Sequence, residues 1–259
     1  MIVEFFGPPG AGKTTLARML LNRLRAHGYE AAMWHSSRPT ELVPPSGPDR
    51  ITRQLAPIRR MHRSVAETLS IVSHPLANAE EIALANRLLK ALPPRGLLTR
   101  LREAQYICRM ARAWYAAARM GRITIFDQGL AQELCSLLIL SGHGEAAPLA
   151  TLLEGLPLAQ LSVLVTVSPT LLKRRTVDRL SRLQFVERLL ERRSRQDFFP
   201  VAHQLHDVLS SSGRTVVCAS SVDEQETETS LERIEQEVIR QYAAVQDKQE
   251  GGRATECNR

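Results

Sequence analysis

Apolar positions recur along this chain in two rhythms. Short continuous apolar runs at residues 1–6, 29–34, 122–126, 161–167 and 215–219 are separated by stretches in which apolar residues return every three or four positions. A short run without polar alternation marks a strand covered by helices on both faces, and the longer rhythm marks amphipathic helices. The alternation predicts an α/β fold built on a parallel sheet. Between residues 12 and 27, Leu16, Met19, Leu20 and Leu24 share one helical face, and Gly28 is a C-terminal stop. Residues 49–120 read as helical throughout, punctuated by Pro57, Pro75 and Pro93-Pro94-Arg95-Gly96, which makes an insertion too long for a plain crossover. Within it, residues 105–119 predict a helix packed on the sheet. Residues 231–244 give the last amphipathic helix, and the mixed charges and Gly251-Gly252 of 246–259 predict a disordered tail. A single domain over 1–245 is the expectation for this length. Glu4 alone interrupts the first strand, either at its solvated end or as a buried carboxylate.

Between the first strand and the first helix stands Gly7-Pro8-Pro9-Gly10-Ala11-Gly12-Lys13-Thr14-Thr15, which fits G-x-x-x-x-G-K-[ST] without a gap. A chain that leaves a strand and turns sharply into a helix aims a row of backbone N–H groups at one anion, provided no Cβ intrudes. Gly7, Gly10 and Gly12 supply that clearance. Lys13 is placed to span the β- and γ-phosphates of a nucleoside triphosphate, and the Thr14 hydroxyl to ligate the magnesium ion between them. Lys13 is one of four lysines against thirty arginines, so a lysine here is not this chain's default cation. No N-K-x-D element follows, which points away from a Ras-type GTPase and towards ATP.

Charge and cysteine usage narrow the partners. The net charge of +7 and pI near 9.7 favour anionic ligands, and arginine suits phosphate oxygens. Cys108, Cys135, Cys218 and Cys257 form no C-x-x-C pair and read as free thiols. No run of eighteen apolar residues and no signal-like N-terminus occurs, so a protein without a membrane anchor, cytoplasmic in location, is expected.

The strand ends supply the remaining candidates. Loops after parallel strands gather at the carboxyl edge of the sheet, where ligands bind. Arg38, after strand two, is either brought to the phosphate face or left on the surface. Asp127, after strand three, faces the Thr14 hydroxyl and a metal ion if it is the metal-organising acid, or caps the following helix. After strand four and Ser168-Pro169, Arg175, Arg179 and Arg182 line one face of a helix, as a mobile cationic cover for a transferring phosphoryl group or as a solvated stripe. Residues 220–224, after strand five, are expected near the nucleotide base.

This order of parts resembles the thymidylate kinase and nucleoside kinase group of P-loop phosphotransferases. The resemblance implies a P-loop three-layer sandwich whose five-stranded parallel sheet runs in the order 2-3-1-4-5, with the helical insertion after strand two. It implies that Arg38 contacts the acceptor, that Asp127 is the acid of an acid–arginine pair ending strand three, and that Arg175 and Arg179 belong to a lid. One departure matters: Gln128 stands where the group has the arginine, and an amide makes no bidentate ion pair with a phosphate. The reading is thus ATP- and magnesium-dependent phosphoryl transfer to a small-molecule acceptor, with an already phosphorylated acceptor in doubt. An alternative is a nucleic-acid-stimulated ATPase using the basic tracts 50–63 and 174–195, in which only Phe185 could stack on a base. A regulatory ATP-binding switch is a third.

Overall fold

The computed structural model describes residues 1–35, 78–142, 149–168, 170–172 and 198–256, with residues 247–256 described by their backbone alone. Each of the five apolar runs forms a strand: β1 (Ile2–Phe6), β2 (Ala31–Trp34), β3 (Ile123–Phe126), β4 (Leu161–Thr166) and β5 (Thr215–Ser220). All pair in parallel in one sheet of order β2-β3-β1-β4-β5, the arrangement that the resemblance implies. β1 is central and buried at every position, as an apolar run flanked on both sides must be.

Strand parity decides what each face holds. Val3 and Phe5 point to a core completed by helices α1 (Lys13–Ala26) and α7 (Glu224–Glu256). On α1 the buried residues are Leu16, Ala17, Leu20 and Leu24; on α7, Leu231, Ile234 and Val238 fall at helical spacing. Burial of each such leucine contributes about 1.5–3 kcal/mol. α1 stops as the sequence predicts: Gly28 takes a φ of 81°, and the Tyr29 N–H returns to the Leu24 carbonyl at 2.9 Å.

Ile2 and Phe6 point to the other face, covered by α2 (Ala79–Ala91), α3 (Leu97–Arg119), α4 (Leu130–Ser141), α5 (Leu149–Leu153) and α6 (Phe198–Ser211). The described part of the insertion is the pair α2 and α3, and Trp114 of α3 packs on Phe126 of β3 with ring centroids 4.7 Å apart. Thus residues 105–119 lie on the sheet as their pattern predicts. The insertion's first part, with Arg38 and the tract 50–63, lies outside the described residues.

Two readings change. Glu4 is a wholly buried carboxylate, because its side chain shares parity with Ile2 and Phe6 and so points under α4. The backbone of α7 continues through Glu256, so residues 246–256 carry on a helix where a disordered tail is expected; Glu, Gln, Lys, Arg and Ala, all good helix formers, dominate that stretch around its two glycines. Among the described residues no helix is long and apolar enough to cross a membrane.

Candidate active site

The loop between β1 and α1 has the backbone its glycines permit. Gly7, Gly10 and Gly12 adopt φ values of 137°, 89° and 96°, a region that side chains of L-residues avoid. Gly7 is also sterically fixed, since a Cβ there would run into the Val165 carbonyl of β4. The Ala11 N–H closes a turn onto the Pro8 carbonyl at 3.1 Å. The Lys13 ammonium, nearly buried, donates to the carbonyls of Gly7 (2.7 Å) and Pro8 (3.0 Å). Its charge is therefore held over the concave side of the loop.

Neighbouring strands bring the remaining groups to this loop. β3 lies beside β1, so the residue just past its end faces the start of α1: the Thr14 hydroxyl donates to Asp127 Oδ2 at 2.9 Å. Asp127 is 2% exposed. The helix N-cap reading of Asp127 fails, because Gly129 occupies that position and α4 has no side-chain cap. His35, just after β2, places Nδ1 3.8 Å from Asp127 Oδ2. From the β5–α7 loop, Ser221 donates its hydroxyl to the Ala11 carbonyl, which sets part of segment 220–224 against the phosphate loop.

A hydroxyl and a carboxylate converging at a phosphate loop fit magnesium. This ion takes hard oxygen donors, keeps most of its shell for water and phosphate, and needs one or two protein oxygens. The left-handed glycines and the buried lysine fit a polyphosphate in the same way.

The first turn of α4 ties the loop to the sheet through residues that the sequence reading did not select. Gln132 accepts the Gly7 N–H at 3.1 Å, fixing the entrance of the phosphate loop. Glu4 accepts the Ala131 N–H and the Ser162 hydroxyl, each at 2.9 Å, and the Leu130 N–H as well. A carboxylate from β1 thereby takes the place of the missing cap on α4. Burial pushes the Glu4 carboxyl up to about 7 against the pull of those three donors. Gly129 must remain bare for this contact, since a Cβ there would strike Glu4 and Trp114.

In the same turn, Glu133 of α4 meets Glu103 of α3, and both carboxyls are raised, Glu133 by burial and then by the charge of Glu103, Glu103 by burial. Two carboxyls so close share a proton rather than both ionise. Glu133 is 3% exposed and its Oε1 has no hydrogen-bond partner. The Tyr106 phenol lies within the field of Glu133, Glu103 and Asp127, and its titration is pushed up, by burial first. Sequence spacing gives no hint of this pair, because its members sit thirty residues apart on different helices.

The sequence candidates thus divide. Residues 7–15 and Asp127 come together, with Thr15 exposed at the side, and Gln128 sits half-buried next to Asp127. Arg38, Arg175 and Arg179 lie outside the described residues.

The glycine loop stands after the central strand of a parallel sheet of order 2-3-1-4-5, the fold that the sequence resemblance implies. No family model matches the chain, and no curated protein matches it. Among solved structures it is similar to a deoxyadenosine kinase from M. mycoides with bound dATP, at a TM-score of 0.47 and 13% identity, over 92% of this chain and 99% of that one.

Proposed function

We propose that this chain transfers the γ-phosphoryl group of magnesium-ATP to a hydroxyl of a small, unphosphorylated acceptor. The observation that carries the reading is the Thr14–Asp127 contact of 2.9 Å at the mouth of the glycine loop beside Lys13. The loop of residues 7–15, through the backbone N–H groups of non-proline residues such as Gly10, Gly12 and Thr14, and the Lys13 ammonium bind the β- and γ-phosphates. Thr14 and Asp127 are the residues that would hold magnesium, which, when bound, shields the charge on the transferring group. Transfer of this kind depends on positioning and charge stabilisation rather than on a protein nucleophile. Gln132, gripping Gly7, keeps the loop in register with β3 and Asp127.

The acceptor side is read from charge. Gln128 offers no cation to an acceptor phosphate, and the Glu103–Glu133 pair and Asp127 all place negative charge within electrostatic reach of Tyr106. A phosphate dianion there would face repulsion in a poorly screened site. By the family resemblance, Arg38 contacts the acceptor and Arg175 and Arg179 cover the γ-phosphate. The test is an ATP-consumption screen over nucleosides, nucleotides, sugars and short oligonucleotides, with product masses read out. ADP formation that depends on an unphosphorylated alcohol supports the reading. Stimulation by polynucleotide alone, with no phosphorylated product, overturns it in favour of a nucleic-acid-dependent ATPase.

A further inference from the structure

Strand β5, at one end of the sheet order, carries a second group of reactive side chains with α6. Cys218 shares parity with Val216, which packs on the face that α6 covers. There Cys218 Sγ lies 3.4 Å from His206 Nε2, and His206 Nδ1 lies 2.9 Å from Asp207 Oδ1. The Asp207 carboxylate can only accept, so it holds the neutral imidazole with its proton on Nδ1 and its lone pair on Nε2, towards the thiol. A nucleophile, a base within hydrogen-bond reach and a third group that orients the base form the arrangement that activates a thiol. None of the three belongs to the phosphate site.

The other described cysteines differ from Cys218 in access: Cys108 and Cys135 are buried, and Cys218 is exposed. Desolvation pushes the Cys218 thiol up, while the Arg233 guanidinium pulls it down and Asp207 pushes it up again. Arg233 also donates to the Cys218 carbonyl, which keeps its cation beside the sulfur. The resting thiol therefore keeps its proton until a base removes it, and the thiolate of such a thiol is the stronger nucleophile. We propose that Cys218 is a site of reversible thiolation by low-molecular-weight disulfides, with His206 as its base and Asp207 as the group that orients that base. As the Cys218 sulfur bonds to one sulfur of the disulfide RSSR, its proton passes to His206 Nε2 and the S–S bond breaks. The leaving thiolate then takes that proton and departs as RSH. The Cys218 sulfur is oxidised, the leaving sulfur is reduced, and excess thiol reverses the exchange.

The test uses the full chain with Cys257, which lies outside the described residues, exchanged in every sample as Cys257→Ser. Oxidised glutathione at neutral pH should add one glutathione per chain, placed on Cys218 by peptide mass mapping, with the buried Cys108 and Cys135 unmodified. Dithiothreitol should restore the parent mass. Cys218 should react about tenfold or more faster than the cysteine of a synthetic peptide of residues 214–222, and His206→Gln should remove that advantage. Unmodified Cys108 and Cys135 in His206→Gln report that this variant is folded. Asp207→Asn, at a side chain 78% exposed, puts no load on folding and should slow the reaction about threefold or more by releasing the tautomer. Reaction of Cys218 at only the peptide's rate, or at the parent's rate in both variants, overturns the assignment. Because no nucleotide takes part, such a failure leaves the phosphoryl-transfer reading standing.

Discussion

Thr14 and Asp127, more than a hundred residues apart in sequence, are joined by a hydrogen bond of 2.9 Å because β1 and β3 are adjacent in the sheet. If the two hold one magnesium ion, removing either should cost nearly as much as removing both, since they act as a unit. Asp127→Asn and Thr14→Val are each expected to lower kcat by about 10²–10³. The double variant should be no more than a few-fold worse than the poorer single. Thr14→Ser, which keeps the hydroxyl, should stay within about tenfold of the parent. Initial rates across a magnesium titration check this, and strictly multiplicative losses would count against a shared ion.

Lys13 has two carbonyl partners in its own loop, so its replacement has a structural effect separable from the chemical one. Lys13→Ala leaves the Gly7 and Pro8 carbonyls short of a donor, for a loss of about 1–3 kcal/mol, while the helix and both cores remain. The variant should fold, with circular dichroism like the parent's, and show no measurable transfer. Magnesium-ATP should raise the melting temperature of the parent and not that of the variant. Full turnover in Lys13→Ala would remove the lysine from the mechanism.

Glu4 makes stability depend on pH in a window far from the usual carboxylate range. Its folded-state pKa, about 7, lies above the ordinary value of 4.5, so the folded protein holds this proton more tightly than the unfolded chain does. The resulting stability is fully present below pH 4.5, declines as pH rises towards 7 and is absent above it. At about 1.4 kcal/mol per pH unit the swing is on the order of 3–4 kcal/mol. Glu4→Gln keeps an acceptor for the Ala131 N–H and lets the Ser162 hydroxyl turn to accept. It should abolish this component and melt higher than the parent at pH 8. Denaturant titrations at pH 5 and pH 8 decide it, and an identical pH slope in the two proteins would show that Glu4 does not titrate there.

Three glycines separate steric from conformational demand. Gly129 has a φ of −121°, open to any residue, yet a Cβ there meets Glu4 and Trp114. Gly213 has open space around it and a φ of 73°. Gly7 combines both constraints, with a φ of 137° and the Val165 carbonyl in the way. Gly213→Ala should cost about 1–2 kcal/mol from backbone strain and Gly129→Ala about 1–3 kcal/mol from overpacking. Gly7→Ala should exceed both and abolish nucleotide binding. Urea midpoints at constant slope measure the order.

The same contrast explains what could be read in advance. β1, β3 and β4 were legible because a strand covered on both faces has no solvent side and so appears as an unbroken apolar run. The conformation of the glycine loop is legible because the positive φ values of Gly7, Gly10 and Gly12 are a backbone demand that glycine spacing encodes directly. The meeting of Asp127 with Thr14 follows from its place after a strand. Glu4 was undecidable, since one carboxylate in an apolar run reads alike at a solvated end and under a helix; only the donors of Ala131 and Ser162 distinguish the two. Gln132, Glu103 and Glu133 looked like ordinary polar helix positions, and their partners come from tertiary packing that no local pattern records.

The Glu103–Glu133 pair gives the acceptor preference its own test. Glu133 is deeply buried and holds the proton that the two carboxyls share, so the pair carries one negative charge, on Glu103, beside a poorly hydrated neighbour. For whichever alcohol scaffold the screen identifies, the free alcohol should exceed its monophosphate by at least about 100-fold in kcat/KM, an energy of roughly 3 kcal/mol. Glu103→Gln removes the pair's charge at constant size, since Glu133, raised further by burial, keeps its proton. It should narrow that ratio at least tenfold, mainly by lowering KM for the monophosphate, with kcat for the free alcohol changed little. Competition assays with both acceptors at fixed ATP read the ratio directly. A ratio that stays constant in Glu103→Gln would place the selectivity elsewhere, with Gln128→Arg the next exchange to make.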